Sequence, residues 1–303
     1  MGDKVIITNF TDPVCTWCWG TEPIFRKLET HYPNQIEFHY VMGGLVEDIN
    51  QFQDFSNGID AGSEGANQQI VAHWLESAER HGMPIESQGF ALFSNEYPST
   101  YPQNIAYKAA QKAAPEKADG FLRRIREATL TEAQITSRQD VLVSLADEVG
   151  INVADFIKYL KDGTAKQAFY EDLSLTRSMG VRGFPTFLIK YHDQSVMLRG
   201  YQDFEAFVGV IDTVTGGIIK PVKPERNDHT LLSFLTVHHK SAAEEIRQAF
   251  DLSSIIEVDN WIMKLENQRK VRRIKAGQSY FVEATKQRQG LYCNLTTGIC
   301  SDL

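Results

Sequence analysis

Two cysteines stand three apart in "DPVCTWCWG", Cys15 and Cys18, where a β-rich run gives way to a helical pattern. At such a junction the first cysteine takes the start of the helix. Unpaired backbone N–H groups and the helix dipole there favour a thiolate over a thiol, which makes the sulfur reactive. The second cysteine, one turn on, faces the same edge and can close a small disulfide ring. Attack, mixed-disulfide formation and release suit that arrangement. Two other readings stay open on the pair alone. A zinc clamp needs two further ligands; Cys293 and Cys300 lie wider apart than the usual ligand spacing, and His238 and His239 are adjacent. Chance pairing is the third, weakened by the scarcity of cysteines, four in 303 residues. That number is too small for a disulfide scaffold.

The elements that position the pair read as follows. "KVIITNF" (Lys4–Phe10) is apolar on both faces and suits a central, doubly covered strand. "GTEPIFRKLETHYP" has helical spacing, with Pro23 expected to kink it and Pro33 to end it. "QIEFHYVMGG" alternates and stops at two glycines, a second strand. The chain thus opens strand–helix–strand, the parallel βαβ unit. From about Ala66 to Met179 the pattern is almost wholly helical, more than a crossover needs, and predicts an inserted helical subdomain. Gly82 is a candidate helix terminator and Ser137 a candidate N-cap. "GFPTFLIKY" and "SVMLRGY" then read as a hairpin, followed by an amphipathic helix over "DFEAFVGVIDTV". "MGVRGFPTFLI" sets Pro185 at the entry of a strand that should neighbour the first, a position where proline spares the ladder.

These segments together resemble the DsbA family of thiol:disulfide oxidoreductases within the thioredoxin-like superfamily, in particular its cytoplasmic FrnE-like branch. The features are "DPVCTWCWG", Pro23 five residues after Cys18, "GVRGFPTF", "LRGYQDFEAF", and a helical insertion with "LADEVGINVADF" ahead of "GVRG". They span roughly the first seventy per cent of the chain, from about Lys4 to Val214. The resemblance implies an α/β thioredoxin-like fold with Cys15 as nucleophile and Cys18 as resolving cysteine. It makes Pro185 a cis-proline, with Phe184 presenting its backbone to substrate, and gives Thr16 and Trp17 the tuning of the redox poise. Asp12 is either a proton shuttle to Cys18 or a strand-end turn residue. Trp17 and Trp19 flank the cysteines as an apolar rim or, for Trp19, as core. Thr-Trp stands where the best-known periplasmic members carry Pro-His, so no family potential transfers. A bulky Phe184 narrows the substrates.

Beyond the linker "GGIIKPVKPERND" lie three short helical patterns and a hairpin, "VRRIKAGQSYFVEA", with Gly277 at its turn. They resemble a winged helix-turn-helix. The expected division is a thioredoxin-like domain over 1–62 and 178–218, an inserted helical subdomain over 63–177, a linker over 219–228, a small α+β winged-helix-like domain over 229–285, and a cysteine-bearing tail over 286–303. Cys293 and Cys300 in that tail are either a second redox pair or two idle thiols.

Composition limits the functions available. The net charge of −8 argues against broad nucleic-acid affinity. From Glu225 onward there are 11 basic and 10 acidic residues, against 20 and 29 before it. Arg269, Lys270, Arg272, Arg273 and Lys275 cluster, but Glu257, Asp259 and Glu266 beside them would repel phosphates. No run approaches the roughly 18 apolar residues of a membrane span, and the opening reads directly as a strand rather than a leader, so the expected site is the cytoplasm. The expected partners are disulfide- or thiol-bearing proteins or peptides and a cellular thiol reductant, with no membrane, no cofactor and no metal. The leading expectation is a protein-disulfide oxidoreductase. A non-catalytic adaptor on the same fold and a redox-responsive DNA-binding regulator are the alternatives.

Overall fold

The structure, a computed structural model, describes residues 4–285 and the backbone of 292–293 and 300–301. The chain opens with β1 (Val5–Thr11), α1 (Thr16–Gly20), α2 (Glu22–His31) and β2 (Ile36–Met42). β1 and β2 pair in parallel, with Ile7 opposite Phe38. The kink expected at Pro23 is a break: α1 ends at Gly20, Thr21 bridges, and α2 restarts with proline in its first turn, where its missing N–H costs nothing. After the insertion come β3 (Thr186–Tyr191) and β4 (Gln194–Arg199), which complete a sheet of order β2-β1-β3-β4. β1 is central and antiparallel to β3. One face packs Val5, Ile7, Phe187 and Ile189 against Phe25 and Leu28 of α2 and against Phe207 and Ile211 of the last helix of this unit.

The inserted helices are α3 (Gly62–His81), α4 (Tyr101–Ala113), α5 (Pro115–Thr131), α6 (Gln139–Glu148), α7 (Val153–Lys161) and α8 (Thr164–Ser178). α4 to α8 share a core around Tyr107, Phe121, Phe156 and Phe169. Gly82 ends α3 in the left-handed region, φ +71. Ser137 is not the N-cap of α6: Arg138 takes that place and the Ser137 hydroxyl donates to the Leu92 carbonyl. A helix terminus competes with neighbouring chain for a serine, and here the neighbour wins. α9 (Phe204–Thr215) follows, capped by Asp203 through the Ala206 amide.

The C-terminal part runs α10 (Asp228–His238), β5 (Lys240–Ala242), α11 (Ala243–Ala249), α12 (Ile255–Asn267), β6 (Val271–Ala276) and β7 (Ser279–Ala284). Its strands form a second sheet of order β5-β7-β6. The short β5 escapes a reading by periodicity, being three residues long. This unit has a core of its own, including Leu231, Ile246, Phe250 and Ile262. It also shares one with the rest of the chain: Ala242, Ala276 and Phe281 pack with Val14, Trp19, Met83 and Leu130. The β6–β7 turn sits directly on the chain after α3. A side chain at Gly277, φ +51, would strike the Ile85 carbonyl, and the Ile85 amide donates to Gln278 Oε1 at 3.0 Å. In the tail, the backbone of Cys293 pairs with that of Cys300; their side chains and the rest of 286–303 lie outside the described residues.

Candidate active site

β1 delivers Asp12 to its C-terminal end, and Cys15 follows as the N-cap of α1. Its Sγ accepts the Cys18 amide at 3.2 Å. Cys18 is one turn deeper, with no accessible surface, whereas Cys15 retains 6%. Both are free thiols. The strand order brings the entry of β3 alongside: the Phe184–Pro185 peptide is cis, and the Cys15 thiol lies 3.6 Å from the Phe184 carbonyl oxygen. Cys15 and Phe184 open into a cleft of about 600 Å³. Its walls come from the loop after β2 (Gly43, Phe52, Asn57), from α3 (Ile70, His73) and from the loop before β3 (Arg182). The Phe184 ring rests on Gly43, where a Cβ would fall within 2.1 Å of two ring carbons.

Burial works against the helix-start acidification of Cys15 expected from the sequence. Burial pushes the Cys15 thiol well up, and the hydrogen bond and charge of Cys18 and the charge of Asp12 add to this against the Cys18 amide. Cys18 is lowered. Burial alone would raise it, but the Cys15 thiol, the charge of Arg126, the Thr11 hydroxyl and the Asp12 backbone outweigh it. The two sulfurs titrate as a pair.

Asp12 is fully buried and serves the turn. Its Oδ2 accepts the Leu45 amide at 2.7 Å, the Asn104 amide group at 2.8 Å and the Thr100 hydroxyl at 3.2 Å, and Oδ1 accepts the Val14 amide at 2.9 Å. Burial raises its carboxyl, partly offset by those four donors. It fixes the loop that walls the cleft to the turn between β1 and the cysteines. Thr16 bonds His81, Oγ1 to Nε2 at 3.3 Å. The Met83 amide donates to His81 Nδ1 at 3.1 Å, which puts the ring proton on Nε2. Burial lowers His81 to about 4. Trp17 forms part of the rim, edge-on to His73 and His81 and under Arg80. Trp19 is core. Its Nε1 donates to the Pro84 carbonyl at 2.9 Å, and its ring meets Phe281 and the Arg123 guanidinium.

A buried ionic cluster behind Cys18 has no signature in the motif. Glu22 at the start of α2 faces Arg26, Arg123 and Arg126. Arg123 makes a two-pronged bond to Glu245 of α11, 2.7 and 2.8 Å, and reaches Glu127 at 2.8 Å. Lys240 closes on Glu127 at 2.9 Å. The basic cluster of the C-terminal hairpin is partly consumed within the unit: Arg272 pairs with Glu283, and Arg273 with Asp259 and Glu266. Among the described residues no group of three or more His, Cys, Asp or Glu is placed to hold a metal ion, and no helix is long and apolar enough to cross a membrane.

Known proteins share this arrangement in two different extents. The ClpXP adapter protein SpxH of Halalkalibacterium halodurans is 28% identical over 273 residues, 88% of this chain and 85% of the relative. SpxH of Bacillus subtilis is 24% identical over 280 residues, 91% and 87%. Among solved structures, a probable DsbA oxidoreductase from Streptomyces coelicolor superposes with a TM-score of 0.54 at 17% identity, over 74% of this chain and 93% of its own. The cytosolic disulfide reductase DsbM from Pseudomonas aeruginosa gives 0.51 at 19%, over 70% and 95%. The expected thioredoxin-like fold of DsbA type, with its helical insertion and added C-terminal strands, is thus present. A family model described as thioredoxin matches residues 9–209, a stretch holding the cysteine pair, the insertion and the cis-prolyl loop, and the chain belongs to the thioredoxin family.

Proposed function

We propose that this chain is a protein adaptor that hands a client to a ClpXP-type protease. The observation that carries this is where each likeness stops. The oxidoreductase structures match nearly their whole length yet only 70–74% of this chain. The SpxH relatives match 88–91% of it, so they share part of the C-terminal unit that the oxidoreductases do not need for their chemistry. That unit is docked through a shared core and buried ion pairs. A body that binds one protein and an appended unit rigidly fixed to it suit presentation of a client. In this reading the protein works in the cytoplasm, its FrnE-like body and winged-helix-like unit keep the boundaries read from the sequence, and the C-terminal unit docks protein rather than nucleic acid. Protein half-lives measured across the proteome with the gene deleted test it. Selective lengthening for a set of ClpXP substrates, reversed by the restored gene, is the expected result; unchanged half-lives refute it.

One observation favours a second activity on the same scaffold: the Cys15 thiol at the mouth of the cleft, with Cys18 behind it and the Phe184 carbonyl beside it. We infer that the pair exchanges disulfides with a bound protein or peptide. Cys15, as its thiolate, attacks one sulfur of the substrate disulfide, and the other sulfur leaves as a thiolate that takes up the proton Cys15 released. Cys18, deprotonated in its turn, then attacks Cys15 of the mixed disulfide and releases the second substrate thiolate. A cellular thiol returns the pair to the reduced form. Thr16, Trp17, Phe184 and Pro185 shape the groove, and Asp12 holds it. Insulin reduction by a thiol reductant, with and without the protein, checks this: acceleration by wild type lost in Cys15→Ser supports exchange, and equal rates reject it.

A further inference from the structure

We propose that His73 of α3 is a catalytic residue of the disulfide exchange, the proton carrier of the cleft: it takes the proton of the Cys15 thiol and gives it to the substrate sulfur that leaves. The inference rests on the exchange reading and adds a residue that neither the cysteine motif nor the cis-prolyl loop contains.

Ile70, His73 and Trp74 lie at i, i+3 and i+4, on one face of α3, and that face is a wall of the cleft into which Cys15 opens. The residues on both sides of Cys15 meet the same turn of α3. Val14 shares a core with Ile70 and Trp74, and the Trp17 ring stands edge-on to the His73 ring, centroids 6.1 Å apart. Among the described residues, the titratable side chains that line the cleft besides Cys15 are Asp54, His73 and Arg182. Burial would raise the Asp54 carboxyl, but the Asn57 and Ser56 side chains, each donating to it at 2.7 Å, hold it below the usual carboxylate range. It stays ionised and has no proton to lend. Arg182 does not give its proton up. That leaves His73. It accepts the Ser77 hydroxyl through its backbone carbonyl, while its ring nitrogens have no hydrogen-bond partner among the described residues. Partial burial lowers its pKa against the charges of Asp54 and of Glu76, so the resting ring is neutral and able to accept a proton.

Cys15 is only 6% exposed, and a substrate bound in the cleft shields it further, so the proton needs a carrier inside. It moves twice. The Cys15 S–H bond breaks and a ring nitrogen of His73 takes the proton. The Cys15 thiolate then attacks one sulfur of the substrate disulfide. The Cys15–substrate S–S bond forms as the substrate's own S–S bond breaks, and the electron pair of the broken bond leaves on the second sulfur. The imidazolium returns the proton to that sulfur, and His73 is neutral again. Thiol plus disulfide gives mixed disulfide plus thiol, with no external base, oxidant or reductant consumed in the step. A positioned acid–base group of this kind contributes about 100- to 10,000-fold.

The test is insulin reduction by the full-length protein with a thiol reductant at neutral pH. His73→Ala should slow the catalysed rate by about 100-fold. Imidazole added to the buffer enters the vacated space, carries the proton instead, and should restore the rate in proportion to its concentration. His73→Phe keeps a ring against Trp17 but has no nitrogen. It should be as slow as His73→Ala and indifferent to imidazole. A histidine that only supports Trp17 gives the opposite pattern, an active His73→Phe and no rescue of His73→Ala. A loss within about twofold in His73→Ala, a wild-type rate in His73→Phe, or no response of His73→Ala to imidazole overturns the proposal. If His73→Ala does not fold, the rate of His73→Phe decides it by the same criterion. A wild type that does not accelerate insulin reduction refutes the exchange reading instead, which separates the two failures.

Discussion

The ring of Trp19, one residue past Cys18, stands edge-on to Phe281 of β7, with centroids 6.3 Å apart. The helix that carries the cysteines therefore packs directly on the C-terminal sheet. The same indole lies 4.5 Å from the Arg123 guanidinium, whose two nitrogens grip Glu245 of α11. Cysteine motif, inserted helix and C-terminal unit meet in one contact, so an adaptor surface on that unit would be rigidly tied to the cleft at Cys15.

Glu245 is the keystone of that tie. It has no exposure, accepts from Arg123 and Arg26, and takes the Ala242 amide at 2.7 Å. Truncation leaves buried guanidinium charge without its partner. Glu245→Ala is expected to cost about 3–5 kcal/mol in denaturant unfolding, with a smaller loss for Glu245→Gln. A loss below about 1 kcal/mol would show that the cluster does not fasten the unit.

Gly43 is needed for its missing side chain. Gly43→Ala drives a Cβ into the Phe184 ring, and the loop before β3 must shift away from Cys15. The expected cost is about 1–3 kcal/mol of overpacking, together with an altered rate of Cys15 alkylation. Unchanged stability and alkylation would show that the ring moves aside freely.

His81 makes stability depend on pH. Its folded value is about 4 against an unfolded value of about 6.5. Above the unfolded value both states are neutral and no stability is lost. As pH falls between the two values the unfolded chain takes up a proton that the folded chain refuses. Stability then declines by about 1.4 kcal/mol per pH unit, about 3 kcal/mol in all. Below the folded value the loss is complete. The difference in unfolding free energy between wild type and His81→Gln, followed from pH 7 to pH 4, should show this slope. A constant difference would contradict a buried neutral imidazole.

Local chemistry made much of this legible. An apolar run marked β1, alternation marked β2, glycines marked the end of α3 and the β6–β7 turn, and Pro185 marked the loop that meets Cys15. Each signal lies within a few residues of what it specifies. The ionic cluster gives no such signal. Arg123 and Arg126 occupy "FLRRIREA", which reads as an ordinary charged helix face, and their partners Glu22 and Glu245 come from segments about a hundred residues away on either side. His81 and Gly43 are likewise functional only through contacts that the fold creates. The helix start at Cys15 is likewise a local signal, whereas the burial that works against its acidity comes from elements distant in the chain.

The central claim is that client delivery belongs to the docked scaffold and does not require exchange at the cysteines. Half-lives of ClpXP substrates in cells lacking the gene, complemented either by wild type or by the Cys15→Ser/Cys18→Ser double variant, test it most directly. The account predicts that both restore rapid turnover equally. Restoration by wild type alone, with the folded double variant behaving like the deletion, would contradict it.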